Sequence, residues 1–206
     1  MTSPIPVPAA PATPERFDPD SRLFASAFAE SREYDAYVAT GTDAHRKRWA
    51  AQQAAVRLSG PQRTLLGSFT RRMHLLCISG VWCGDCIRFG PILREIAAAS
   101  PAIALRFLER DERRRIRDRL RTVGAARVPV TLVLDEDFAF ADRLGDRSLA
   151  TYRRMAREHL GDRCPVGIGP ADADELDATI AETVDRLERV QLMLRLAPHL
   201  RQRHGD

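Results

Sequence analysis

Lysine is almost absent from this chain. Of 32 basic residues only Lys47 is a lysine, and against 28 acidic residues the net charge is +4. So even a balance argues against a dedicated polyanion-binding surface, and the arginine bias reads as genomic base composition rather than phosphate recognition. No run of 18 apolar residues occurs, which excludes a helical membrane span and leaves no membrane partner. No basic stretch followed by an apolar core opens the sequence, so the expected compartment is the cytoplasm. Aromatics are sparse at 6%. The one long charge run, Glu109 to Arg121, interleaves acids with its arginines and holds no aromatic residue. A nucleic-acid partner is therefore not expected; the run reads as a solvated helix whose inner face is Ile116, Leu120 and Val123. Cysteine is scarce too, with four in 206 residues. In a reducing compartment so few are not structural staples, and Cys77, Cys83, Cys86 and Cys164 (or His159) form no zinc-ligand spacing.

What is there centres on Cys83-Gly84-Asp85-Cys86. The apolar run Leu75 to Ile78, bounded by Arg71-Arg72 and Gly80, predicts a short buried strand. Phe89, Ile92, Leu93, Ile96 and Ala97 recur at helical spacing and predict a helix opening on the two cysteines. Cysteines three apart at a helix start share a face and come within bridging distance after small adjustment. The first sits where free N–H groups and the helix dipole favour its thiolate. That is the chemistry of a dithiol/disulfide switch. Asp85 between them opposes a second negative charge, although a carboxylate also suits a helix N-terminus.

Along the rest of the chain, prolines at 4, 6, 8, 11, 14 and 19 predict a mobile or polyproline-like arm over residues 1–19. Residues 20–61 read as a helical extension. Its stripes are Leu23, Phe24, Ala27 and Phe28, then Tyr34, Tyr37 and Val38, then Trp49, Gln53 and Val56 behind a Thr42 or Asp43 cap. A further helix carries Leu65, Leu66 and Phe69. Ile103 to Leu108 suggests a buried central strand. Val130 to Leu134 and Phe138 to Leu144 read as antiparallel strands around the turn Asp135 to Asp137, and Arg147 to Leu160 as a closing helix. Residues 161–206 comprise a Gly/Pro-rich loop holding Cys164 and a helix from about Asp172 to Leu196. Leu176, Ile180, Val184, Leu187, Val190 (or Gln191) and Leu194 line one side of that helix, packed on its own domain or forming a homodimer seam. Glu182 with Arg186 is an acid-before-base pair at i, i+4.

The segment Trp82-Cys83-Gly84-Asp85-Cys86 resembles the active site of the thioredoxin family. The resemblance continues through Gly90-Pro91-Ile92-Leu93-Arg94-Glu95-Ile96-Ala97, then Gly124-Ala125-Ala126-Arg127-Val128-Pro129, then Leu144-Gly145-Asp146, covering roughly residues 62–160. It implies an α/β thioredoxin-like fold, a central mixed sheet flanked by helices, with the N-terminal helical extension and the extra C-terminal helix added. It implies Cys83 as attacking thiol and Cys86 as resolving thiol. Trp82, Gly84, Asp85, Val128 and Pro129 would meet the substrate, with Pro129 in the cis form. Pro91 should kink the active helix. The implied partners are a disulfide-bearing protein or small molecule and an electron-donor reductase, with no cofactor or metal. The implied role is redox homeostasis. One departure stands out, because thioredoxins carry a buried aspartate six residues before the first cysteine and this chain has Cys77. A thioredoxin-fold binding module with a slow dithiol is the alternative.

Overall fold

The structure, a computed structural model, describes residues 20–161 and 174–206. The proline-rich arm and Cys164 with its loop lie outside the described residues.

The sheet has the order β2-β1-β3-β4. β1 (Met73–Ser79) runs parallel to β2 (Ile103–Glu109) and antiparallel to β3 (Val130–Leu134), which pairs antiparallel with β4 (Phe140–Leu144). All residues of β1 and β3 are buried. A strand that is apolar at consecutive positions must be covered on both faces, and these two are. β2 corrects an expectation. It is an edge strand rather than a central one, with Ala104 to Arg106 only half-buried, which is why its alternation is poor. The chain between the first two helices protects that edge: Arg32 and Phe107 exchange backbone hydrogen bonds of 2.9 and 2.7 Å.

The helical extension comprises α1 (Ser21–Glu30), α2 (Tyr34–Ala39), α3 (Asp43–Ala55) and α4 (Gly60–Gly67). Thr42 caps α3 in a reciprocal box with His45, and Ser59 caps α4 with Gln62. Tyr34, Tyr37 and Trp49 converge on Phe107 with ring centroids 5.2 to 6.4 Å apart. Trp49 Nε1 also donates to the Val81 carbonyl at 2.9 Å. The extension thereby fixes the turn leading into the cysteines.

α5 (Gly84–Ala98) continues unbroken through Pro91. α6 (Arg114–Arg119) is shorter than the charge run suggested. Glu109 completes β2, and Val123 is 92% exposed with φ +49°, off the buried face that keeps Ile116. Phe138 also departs from expectation: with φ +63° it belongs to the turn, not to β4. There it stacks on His74 at 4.1 Å.

α7 (Leu149–Leu160), α8 (Glu175–Leu196) and the unforeseen α9 (Pro198–His204) close the chain. α8 starts at Glu175 because Asp174 accepts from the N–H groups of Leu176 and Asp177. Its Ile180, Val184, Leu187, Val190 and Leu194 are buried in the shared core. Gln191, also buried, accepts from the N–H groups of Thr70 and Arg71 and donates to the Arg71 carbonyl, pinning the approach to β1. Arg186 does not spend itself on Glu182; it forks onto Asp142 of β4. Glu182 instead accepts from the Leu149 N–H.

Candidate active site

β1 ends at Ser79, and Gly80, Val81 and Trp82 turn the chain into α5. Cys83 is the N-cap residue, in extended conformation, and Cys86 lies in the first turn. Burial separates the two thiols: Cys83 is half-buried and Cys86 fully buried. Both are free.

The sulfur of Cys83 lies 3.7 Å from the carbonyl oxygen of Val128. The Val128–Pro129 peptide is cis, as the resemblance implied. The Cys83 thiol is drawn down from about 9 to about 6, foremost by a hydrogen bond from Cys86. Its burial opposes that. The amides of Cys86 and Asp85 assist, and the Asp85 charge works against it. Cys86 is pushed strongly the other way, by burial and by serving as the donor to Cys83. The pair therefore has one exposed sulfur disposed to be a thiolate and one buried sulfur disposed to keep its proton.

Asp85 does not face Cys83 unscreened. Arg147 Nη2 lies 2.5 Å from its Oδ2, and Arg88 approaches Oδ1 at 3.8 Å. Arg147 also stands 3.6 Å from the buried Asp146, which takes a bond from Arg127 at 3.1 Å and from the Tyr152 hydroxyl at 2.8 Å. These arginines carried no signal in a sequence where nearly every basic residue is arginine. Across the groove, Trp82 is 46% exposed, with the Arg110 guanidinium 5.0 Å from its ring centroid. Trp82, Cys83, Asp85 and Val128 thus line one hollow of about 320 Å³. Gly84, at its edge, has open space beyond Arg48. Pro129 stands beside the hollow through its cis bond to Val128.

Cys77 is wholly buried in β1, opposite Phe107 and Thr131. Burial pushes its thiol up to about 12, so it does not ionise near neutral pH. It is a core side chain, not a substitute base.

The family model for thioredoxin matches residues 31–158, well over half of the chain. The chain belongs to the thioredoxin family. Two solved structures share the thioredoxin-like fold. One is a crystal structure of a protein of unknown function from Pseudomonas aeruginosa, 22% identical, covering 81% of this chain and 97% of that one at a TM-score of 0.61. The other is an HIV epitope scaffold, 21% identical, covering 81% of this chain and 98% of its own at 0.60. At these identities they speak to the fold alone. No curated protein matches the chain. No described helix is long and apolar enough to cross a membrane.

Proposed function

We propose that this thioredoxin-family protein reduces disulfides through Cys83 and Cys86. The observation that carries the reading is the division of labour between the sulfurs: a half-exposed thiol drawn down to about 6 beside a buried one held protonated. In the first step the Cys83 thiolate attacks one sulfur of a substrate disulfide. A Cys83–substrate bond forms, the substrate S–S bond breaks, and one substrate thiolate departs. Cys86 then loses its proton and attacks the Cys83 sulfur, which releases the second substrate thiolate and closes a Cys83–Cys86 disulfide. The substrate gains two electrons and the protein loses them; a reductase returns the dithiol.

The substrate would enter as an extended segment across Trp82 and the backbone of Val128, beside Pro129. The Val128 carbonyl, which faces Cys83, supports that entry path. Electron supply and redox homeostasis in the cytoplasm complete the reading. The alternative, a binding module with a slow dithiol, draws its support from Cys77 standing where an acid would be.

Reduction of insulin with dithiothreitol as donor separates the two. Wild type should accelerate it and Cys83→Ser should not. Equal rates in both variants, whether fast or at background, would defeat the proposal.

A further inference from the structure

Resting on that reading, the resolving step raises a question of proton transfer. Cys86 is fully buried, and burial holds its proton on. Yet it must lose that proton as it attacks, and Cys77 cannot accept it.

The surroundings of Cys86 supply a path. Ser79 and Cys77 alternate with Ile78 along β1, so they share a face of the sheet. Ser79 is 0% exposed, and its hydroxyl oxygen is buried without a partner at hydrogen-bond geometry. The Cys86 thiol and the Tyr37 hydroxyl both feel that hydroxyl. Beyond lies Glu109, in register with Ser79 on the neighbouring strand. The Tyr37 hydroxyl donates to Glu109 Oε2 at 2.8 Å, and the Val81 N–H points to the same oxygen at 3.3 Å. The Gly80 N–H meanwhile donates to the Cys86 sulfur at 3.3 Å, a fixed dipole where negative charge develops. A buried hydroxyl with no partner is costly, so one stranded between two proton-bearing groups calls for an explanation. Glu109 is only partly buried, and Arg32 and Arg110 both feel its charge.

We propose that Glu109 receives the Cys86 proton through Ser79 and Tyr37. As Cys86 attacks, its S–H proton passes to Ser79 Oγ, the Ser79 proton to Tyr37 Oη and the Tyr37 proton to Glu109 Oε2. The relay ends with Glu109 neutral and the Cys83–Cys86 disulfide formed. The electron pair of the broken bond leaves on the substrate thiolate. Tyr37 and Glu109 are positioning and proton-accepting residues; neither touches the substrate.

Mixing the reduced protein, in a Cys164→Ser background, with dithiobis(nitrobenzoate) reads the two sulfurs separately. A first thionitrobenzoate leaves when Cys83 attacks and a second when Cys86 resolves. Glu109→Gln and Tyr37→Phe should each slow the second release at neutral pH by roughly a hundredfold, the lower end of what positioned proton transfer contributes. Both should leave the first release unchanged. The slowed phase should recover in strongly alkaline solution, where hydroxide replaces the relay. A second release within twofold of wild type in Glu109→Gln, or both releases slowed alike, overturns the relay. Should Glu109→Gln fail to fold, Tyr37→Phe decides on the same terms. A normal second release with no insulin reduction strikes the proposed function instead; insulin reduction with an unmoved second release strikes the relay alone.

Discussion

Arg147 reaches from the residue before the α7 cap to Asp85 in the first turn of α5, with Nη2 2.5 Å from Oδ2. The Arg147 charge beside Asp85 opposes the repulsion that Asp85 exerts on a Cys83 thiolate. Asp85 works against the thiolate, and Arg147 offsets it. Removing each partner should therefore move Cys83 in opposite directions. Asp85→Asn should raise the rate of Cys83 alkylation by iodoacetamide at pH 5 by roughly threefold, and Arg147→Gln should lower it comparably. Shifts of the same sign in both variants would refute this coupling.

The same thiolate ties stability to pH. Cys83 titrates near 6 in the folded protein against about 9 when unperturbed. Between those limits the unfolded chain binds more protons, so stability rises with pH across the window. The contribution is complete above about 9 and fades as pH falls through about 6. Cys86 is shifted upward and titrates above this window. Under reducing conditions, the urea-unfolding gap between wild type and Cys83→Ser should widen from pH 6 to pH 8.5. A gap that stays constant or narrows would contradict the assignment.

Gly90 marks where α5 meets the extension. A Cβ there would lie 2.3 Å from Trp49 Cζ3 and 2.6 Å from Cη2, and Trp49 is fully buried. Gly90→Ala should cost about 1–3 kcal/mol through overpacking, read from the urea midpoint. Gly84→Ala, whose nearest atom would be Arg48 Nη2 at 3.7 Å, should leave stability unchanged or slightly higher.

Gln191 offers a separate check on how α8 holds the sheet. Replacing it by leucine strands the buried amide and carbonyl of Arg71 and leaves the part-buried Thr70 amide without its acceptor. A loss of about 2–3 kcal/mol in denaturant unfolding is expected.

The parts of the fold that follow from burial pattern were legible in the sequence. β1, α5 and β3 declare themselves because their apolar residues follow one period without competition. The apolar pattern of β2 suggests a central strand; its edge position, covered by Arg32 pairing with Phe107, comes from long-range pairing that leaves no local mark. The charge run misled at both ends. Glu109 belongs to β2 and turns its carboxylate to Tyr37, while Val123 sits in a left-handed turn. The two cysteines stood out by spacing, whereas Arg147 and Glu109 reach the site only through folding from positions 62 and 28 residues distant from their partners Asp85 and Val81.

Equilibration of the protein in glutathione buffers of graded poise, followed by alkylation and peptide mapping, tests the switch most directly. The account predicts one two-electron transition on the reducing side of the glutathione pool, with Cys83 and Cys86 joined in the oxidised form and free in the reduced. Cysteines that stay alkylatable at every poise, or an oxidised form joining other residues, would contradict it.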